Sequence, residues 1–278
     1  MRVPKGMWHT IWLCVFALLP QTVLSESAQR TVPGGVYVWA LPEGASEPRF
    51  DGKPVLSVSG HVVVGVPISQ KAGSTHLTYN LNGEERRHPF EVHSKTYTEQ
   101  RLTIKNQALV TPPEETLTRI RQESARQRGL YNDHQAAFDA NEGFVKPLEG
   151  VTTSLFGHRR YFNDKPRSPH SGLDIAAPIG TPIIAAGSGT VTLADDLYFN
   201  GNTIFINHGQ GLVTMYCHMS ELSVAEGDRV AQGDVIGLVG ATGRVTGPHL
   251  HWSVSLNGNR VDPPTFMRTL NTLLREGP

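Results

Sequence analysis

Cysteine is nearly missing from this chain: Cys14 and Cys217 are the two thiols in 278 residues. Cys14 falls in an N-terminal stretch that reads as a leader, so the mature chain would keep one thiol. An intramolecular disulfide is then excluded, and the core alone must hold the fold. Cys217, inside the apolar alternation "LVTMYCHM", reads as a small buried hydrophobe. Net charge is missing too. The 25 basic and 25 acidic side chains cancel, which leaves no field to attract nucleic acid. Long apolar runs are the third absence: "IWLCVFALLP" has only ten residues, about half of the roughly 20 that span a bilayer. Arg2 and Lys5 precede it, and "TVLSES" follows with Val23 and Ser25 where a signal peptidase reads small side chains. Residues 1–25 are therefore expected to be a cleaved secretory signal, with no stable membrane span in the mature form. Ile11, Trp12 and Leu13 before Cys14 are too large for lipid attachment there.

What the chain does have is turn chemistry, with 28 glycines and 19 prolines between short runs rich in Val, Ile and Thr. That texture predicts a mainly β protein with few helices. Residues 26–105 hold runs such as "GGVYVWALP" and "PVLSVSGHVVVGVPIS", and a hairpin signature with Asn82-Gly83 between alternating arms. They are expected to form a small β-sandwich-like accessory domain. Its histidines, His61, His76, His88 and His93, lack ligand spacing. Residues 106–145 read as a helical linker arm. Thr111 is its expected cap, prolines and Glu114 and Glu115 fill its first turn, and Gly129 is its expected end. With few large apolar residues beyond Leu117 and Ile120, the arm has only a thin stripe to bury. Residues 146–278 return to strands with frequent glycine and are expected to form an antiparallel sheet.

Chemistry concentrates in this last part. "TGPHLHWSV" places His249 and His251 two apart after a Gly-Pro pair that excludes helix, so in a strand both imidazoles share a face. "SPHSGLDIAAP" sets His170 and Asp174 four apart in a stretch that prolines and Gly172 again keep extended. In "LVTMYCHMSEL", alternation assigns Thr214, Tyr216 and His218 to one face and Val213, Met215 and Cys217 to the other. Two imidazoles and a carboxylate suit a catalytic zinc, which keeps a fourth position for water. The remaining two imidazoles suit proton transfer. Spacing alone leaves open which of His249 and His251 is the ligand. His208, in "INHGQG", reads as a turn histidine.

Taken together, "HSGLDIAAPIGTPI", "MYCHMSEL" and "GATGRVTGPHLHWSV" resemble, in order, the motifs of the lysostaphin-type (LytM-like) zinc endopeptidases, over about residues 146–265. The resemblance implies one Zn2+ per catalytic domain, held by His170, Asp174 and His251. His249 would be the general base or the residue that orients the water, and His218 its partner on the oxyanion side. It implies peptidoglycan stem peptides as the substrate. Pentaglycine, D-Ala-diaminopimelate and other amide crosslinks would all suit a zinc hydroxide. The plain leader together with the likeness of the accessory domain points to the periplasm of a Gram-negative bacterium and hence to D-Ala-diaminopimelate crosslinks. The preceding β region looks like the accessory domain of some Gram-negative members. The basic stretch "FGHRRYFNDKPRSPH" reads as a loop, either simply solvated or meeting stem-peptide carboxylates through Arg159, Arg160, Lys165 and Arg167; Arg160, Tyr161 and Tyr216 are the candidate substrate contacts. The alternative is a non-catalytic relative that activates a cell-wall amidase. Such relatives have lost metal ligands, whereas all five polar positions stand here.

Overall fold

The computed structural model describes residues 31 to 277. The expected leader and Cys14 lie outside the described residues. Among the described residues twenty strands and two α-helices follow one another, so the protein is mainly β.

In the N-terminal part a three-stranded sheet (Val36–Ala40, His61–Gly65, Leu56–Val58) faces a four-stranded one (Lys53–Pro54, Ala45–Phe50, Gly73–Leu81, Glu84–Val92). Tyr37, Phe50, Val62, Val64, Leu77 and Phe90 fill the space between them. The hairpin turns at Asn82 and Gly83, with φ of 55° and 82°, because a two-residue turn matched to strand twist needs both central residues left-handed. The strand "HVVVG" is apolar on both faces for a structural reason. Val62 and Val64 point into the sandwich, while Val63 joins Val36, Val38 and Leu56 in the core of the C-terminal half. Asn257 ties the same strand across by accepting from the Gly65 N–H at 2.7 Å and donating to its carbonyl at 3.1 Å. The two halves therefore share one hydrophobic core.

The arm carries a helix over Leu117–Tyr131 preceded by a 3-10 turn at Glu114–Thr116. Thr111 does not cap it. Its hydroxyl accepts from Lys165 Nζ at 2.7 Å; Pro113 stands at the cap of the 3-10 turn and Thr116 at that of the helix. The helix runs past Gly129 to Tyr131, since nothing requires a left-handed residue at 129. The arm also does more than link. Arg119 pairs with Asp196, and Arg126 with Asp195 and Glu226, on the sheet surface. Such exposed pairs contribute about 0–1 kcal/mol each, so the firmer anchor is Tyr131, buried against Phe205, Met215 and Cys217.

The C-terminal half is built on a ten-stranded sheet whose central strands run in the order Gly189–Leu197, Gly201–Gly209, Leu212–Leu222, Leu250–Leu256, Leu173–Ala176, Val151–Ser154. A C-terminal helix, Pro263–Glu276, which the sequence reading did not anticipate, lays Phe266, Leu270 and Leu273 on the core. Its signals are Pro263 and Pro264 at the start and apolar residues at helical spacing. The expected loop "HRRYF" is instead a strand, Arg159–Phe162. It pairs in parallel with Glu99–Leu102, so residues 99–102 are built into the C-terminal half.

Candidate metal centre

Three adjacent strands set the site by register. Asp174 lies opposite His251, and His251 opposite Cys217; one step along, Leu173 lies opposite Trp252 and Trp252 opposite Tyr216. With side chains alternating, the first row faces a cleft of about 660 Å³ and the second row the core. His170 reaches the same place from the turn before its strand. That turn is clamped by Gly157 N–H on the His170 carbonyl and by His170 N–H on the His158 carbonyl, at 2.8 and 2.9 Å. Gly157 has φ of 86°, and a Cβ there would lie 2.1 Å from the Tyr97 ring, so the clamp needs glycine.

His170 Nε2, His251 Nδ1 and Asp174 Oδ1 lie 2.7 to 3.0 Å from one another. Their surroundings fix which atoms carry protons. His170 Nδ1 is 2.7 Å from the Leu155 carbonyl, which can only accept, so Nδ1 holds the hydrogen and Nε2 the lone pair. Ser253 Oγ donates to the Ser171 carbonyl and so accepts from His251 Nε2 at 3.0 Å, which leaves the lone pair on Nδ1. Burial lowers the pKa of both imidazoles and keeps them neutral. Arg160 Nη2 sits 2.5 Å from Asp174 Oδ2. Three buried lone-pair donors thus converge with no hydrogen between them, an arrangement that fits a cation and is otherwise costly.

His249 and His218 stand beside this triangle. His249 Nε2 is 3.9 Å from Asp174 Oδ1, and its ring centroid is 4.9 Å from that of His218. Each gives its Nδ1–H to a backbone carbonyl at 2.9 Å, His249 to Gly247 and His218 to Thr242, so each keeps a lone pair on Nε2. Burial lowers both pKa values; for His218, with His249 and His251 as neighbours, the drop is well below the usual range. Both are therefore bases at neutral pH.

The structure brings His170, Asp174, His218, His249 and His251 together and separates the other candidates. His218 does not share a face with Tyr216. It adopts φ of 68°, and this left-handed residue breaks the alternation so that His218 lines the cleft with Met215 and Cys217. Tyr216 is instead fully buried on the core side, its hydroxyl bonded to Ala186 N–H at 3.0 Å and Thr214 at 3.1 Å, and cannot contact substrate. Tyr161 turns away from the cleft and lies under the Arg101 guanidinium at 4.3 Å. Arg160 borders the cleft, but its guanidinium is committed to Asp174, Ser154 and Gln100. His208 is buried in a strand, not a turn. Cys217 is buried and its thiol is pushed up to about 12, the inert form. Sequence reasoning missed Ser253, which fixes the His251 tautomer and is signalled by its place two residues on along the strand. It also missed Arg244 on the cleft wall.

Residues 168–263 match the model of peptidase family M23, and residues 29–95 match the model of the M23 N-terminal domain. A solved structure from Pseudomonas aeruginosa, provisionally assigned to peptidase M23, is 40% identical over 86% of this chain and 96% of that chain, with a TM-score of 0.72. The chain belongs to peptidase family M23. Among curated M23 relatives, peptidoglycan DD-endopeptidase ShyC of Vibrio cholerae is 48% identical over 96 residues, 34% of this chain and 22% of that protein. DD-carboxypeptidase/endopeptidase Mpg of Neisseria meningitidis serogroup B is 44% identical over 111 residues, 40% of this chain and 26% of that protein. The matches span about a quarter of the length of these curated relatives. The M23 match contains all five cleft residues, from His170 to His251.

Proposed function

We propose that the protein is an exported zinc endopeptidase that hydrolyses peptide crosslinks of peptidoglycan. The observation that carries the reading is the convergence of His170 Nε2, His251 Nδ1 and Asp174 Oδ1 with their protons turned outward, next to two further imidazoles whose Nε2 lone pairs are free. A Zn2+ ion held by those three atoms supplies Lewis-acid polarisation of the amide carbonyl and lowers the pKa of water to roughly 7.

The chain's own residues do the rest. His249, steered by its bond to Gly247, offers Nε2 to the attacking water, takes its proton and returns it to the leaving amine. His218 is neutral, with Nε2 as an acceptor, so it orients the attacking water toward His249. Arg160 holds Asp174 Oδ2 and leaves Oδ1 for the metal. The name of the ShyC relative supports peptidoglycan as the substrate. The DD-endopeptidase and DD-carboxypeptidase/endopeptidase names of ShyC and Mpg support a bond between D-centres, for which D-Ala-diaminopimelate is the crosslink we propose, and their Gram-negative hosts support a periplasmic site of action. The leader-like residues 1–25 support export. Among the described residues no helix is long and apolar enough to cross a membrane.

The test is zinc content measured together with digestion of purified sacculi. The protein should bind one zinc and release muropeptide monomers from crosslinked dimers. His249→Ala should keep the zinc and lose turnover by at least 100-fold. A full complement of turnover in His249→Ala, or no stoichiometric zinc in the unaltered protein, refutes the reading.

A further inference from the structure

The cleft wall holds an arginine that nothing in the chemistry above uses. Arg244 projects between two aromatic rings, its guanidinium carbon 4.7 Å from the Phe162 centroid and 4.4 Å from that of Phe199. Among the described residues no carboxylate pairs with it, nor with Arg167 next to it, whose Nη2 is spent on the Val110 carbonyl and whose Nε is buried with no partner. Arg244 is held down to about 10 by burial and by the positive charges of Arg167 and Arg160, and it is still charged at neutral pH. A desolvated cation stacked between rings, beside a second cation with an unused N–H and no counter-charge, is an arrangement that an incoming anion would complete.

Its position ties it to the reaction centre. The Arg244 N–H donates to the Phe199 carbonyl at 2.8 Å, the next residue's carbonyl, Asn200, accepts the His218 N–H at 2.9 Å, and the Thr242 carbonyl holds His218 Nδ1. The loop that orients His218 is thus the loop that presents Arg244, and both line the same cleft as His170 and His251.

We propose that Arg244, with Arg167, binds a free carboxylate carried by the residue that contributes the scissile amide nitrogen. The proposal rests on the endopeptidase reading and narrows its substrate class. In a D-Ala-diaminopimelate crosslink, the carbon bearing that nitrogen carries an unesterified carboxylate, as does the last residue of an uncrosslinked D-Ala-D-Ala stem. A bidentate guanidinium recognises such a group and not its amide, whereas a glycine bridge that presents only internal amides gives it nothing to hold.

Two measurements on the full zinc-loaded chain test this. The first is binding without turnover. On a His249→Ala background, calorimetric titration with N-acetyl-D-Ala-D-Ala should give an affinity roughly 10- to 100-fold above that of its C-terminal amide. Arg244→Gln on that background should bind the acid as weakly as the amide, and Arg244→Lys, which keeps the charge without the fork, should fall between them. Equal affinity for acid and amide while Arg244 is intact overturns the proposal, and that comparison stands even if Arg244→Gln fails to fold. An equal loss for both ligands in Arg244→Gln overturns it as well. The second measurement is kcat/KM on crosslinked muropeptide dimers with the carboxylate beside the scissile bond free or amidated, where the free form should be preferred by a similar factor. Cleavage of both dimers at equal rates removes the carboxylate site and leaves the endopeptidase. Cleavage of neither, together with acid-selective binding, removes the endopeptidase reading and leaves the site.

Discussion

The two faces of the central sheet each bury a histidine network, and the networks differ in how their hydrogens are accounted for. On the core face, His208 gives Nδ1–H to the Ser188 carbonyl at 2.7 Å and takes the Thr214 hydroxyl on Nε2 at 2.8 Å. Thr214 is in turn bonded to the Tyr216 hydroxyl, which accepts from Ala186 N–H. Because Nε2 can only accept, protons run one way along this chain from Ala186 to Ser188, and every group is satisfied. On the cleft face, His170, His251 and Asp174 send their protons outward, to Leu155 and Ser253, or have none, and point three lone pairs at one another. Burial is similar in both, so burial does not distinguish a functional histidine from a structural one. Closure does: the saturated network holds the fold, and the open one calls for a cation.

The strongest way to break the comparison is to remove a lone pair from the open network. His251→Ala should abolish stoichiometric zinc by mass spectrometry and drop turnover more than 1,000-fold. By contrast, loss of His208 from the closed network should leave zinc at one per chain when measured on folded protein. Similar zinc loss in both variants would erase the distinction between the faces.

The closed network should instead appear in stability against pH. The His208 pKa lies at about 4 in the folded chain because of burial, below the ordinary 6.5 of an exposed imidazole. The unfolded chain therefore takes up the proton first. Stability is complete above pH 6.5 and falls as pH drops from 6.5 towards 4, by roughly 1.4 kcal/mol per pH unit at the steepest. Denaturant unfolding across that window should show a shallower slope for His208→Gln, whatever its stability at pH 7. Parallel slopes would mean that His208 titrates normally.

A smaller effect sharpens the open side. Arg160 holds Asp174 Oδ2, so Arg160→Gln should weaken zinc 10- to 100-fold without moving a ligand, read by competition with a chelator. If substrate contact were its main role, as the sequence alone suggested, KM would rise and zinc affinity would hold.

The ligand spacing was legible because it obeys a local rule. HxH on a strand must share a face, and turn residues around HxxxD keep that segment extended. The mainly β character and the Asn82-Gly83 hairpin were legible for the same reason. Features made by distant parts of the chain were not. Arg244 acquires its meaning from Phe162 and Phe199, 82 and 45 positions earlier in sequence, and no window of sequence around it contains either. The arm helix looked like a spacer because its apolar stripe is thin, yet Tyr131 at its end is buried with Cys217 and lines the cleft. Alternation also failed where the backbone broke its own period, at the left-handed His218.

Tyr216 turns that last failure into the finest test. Strict alternation places its hydroxyl in the cleft with His218, whereas the register places it in the core row with Leu173 and Trp252. Tyr216→Phe removes one oxygen and nothing else. If the hydroxyl belongs to the closed network, Ala186 N–H loses its acceptor and Thr214 a partner in a dry environment, and unfolding should become easier by about 1–2 kcal/mol. Turnover per folded molecule should stay within about twofold, because no atom facing substrate has changed. A hydroxyl that served the reaction would give the opposite result, unchanged stability with a kcat reduced by 10-fold or more. One oxygen therefore reports which face of the sheet the strand presents at residue 216, and so whether the reversal at His218 is what turns an imidazole out of the core and into the site.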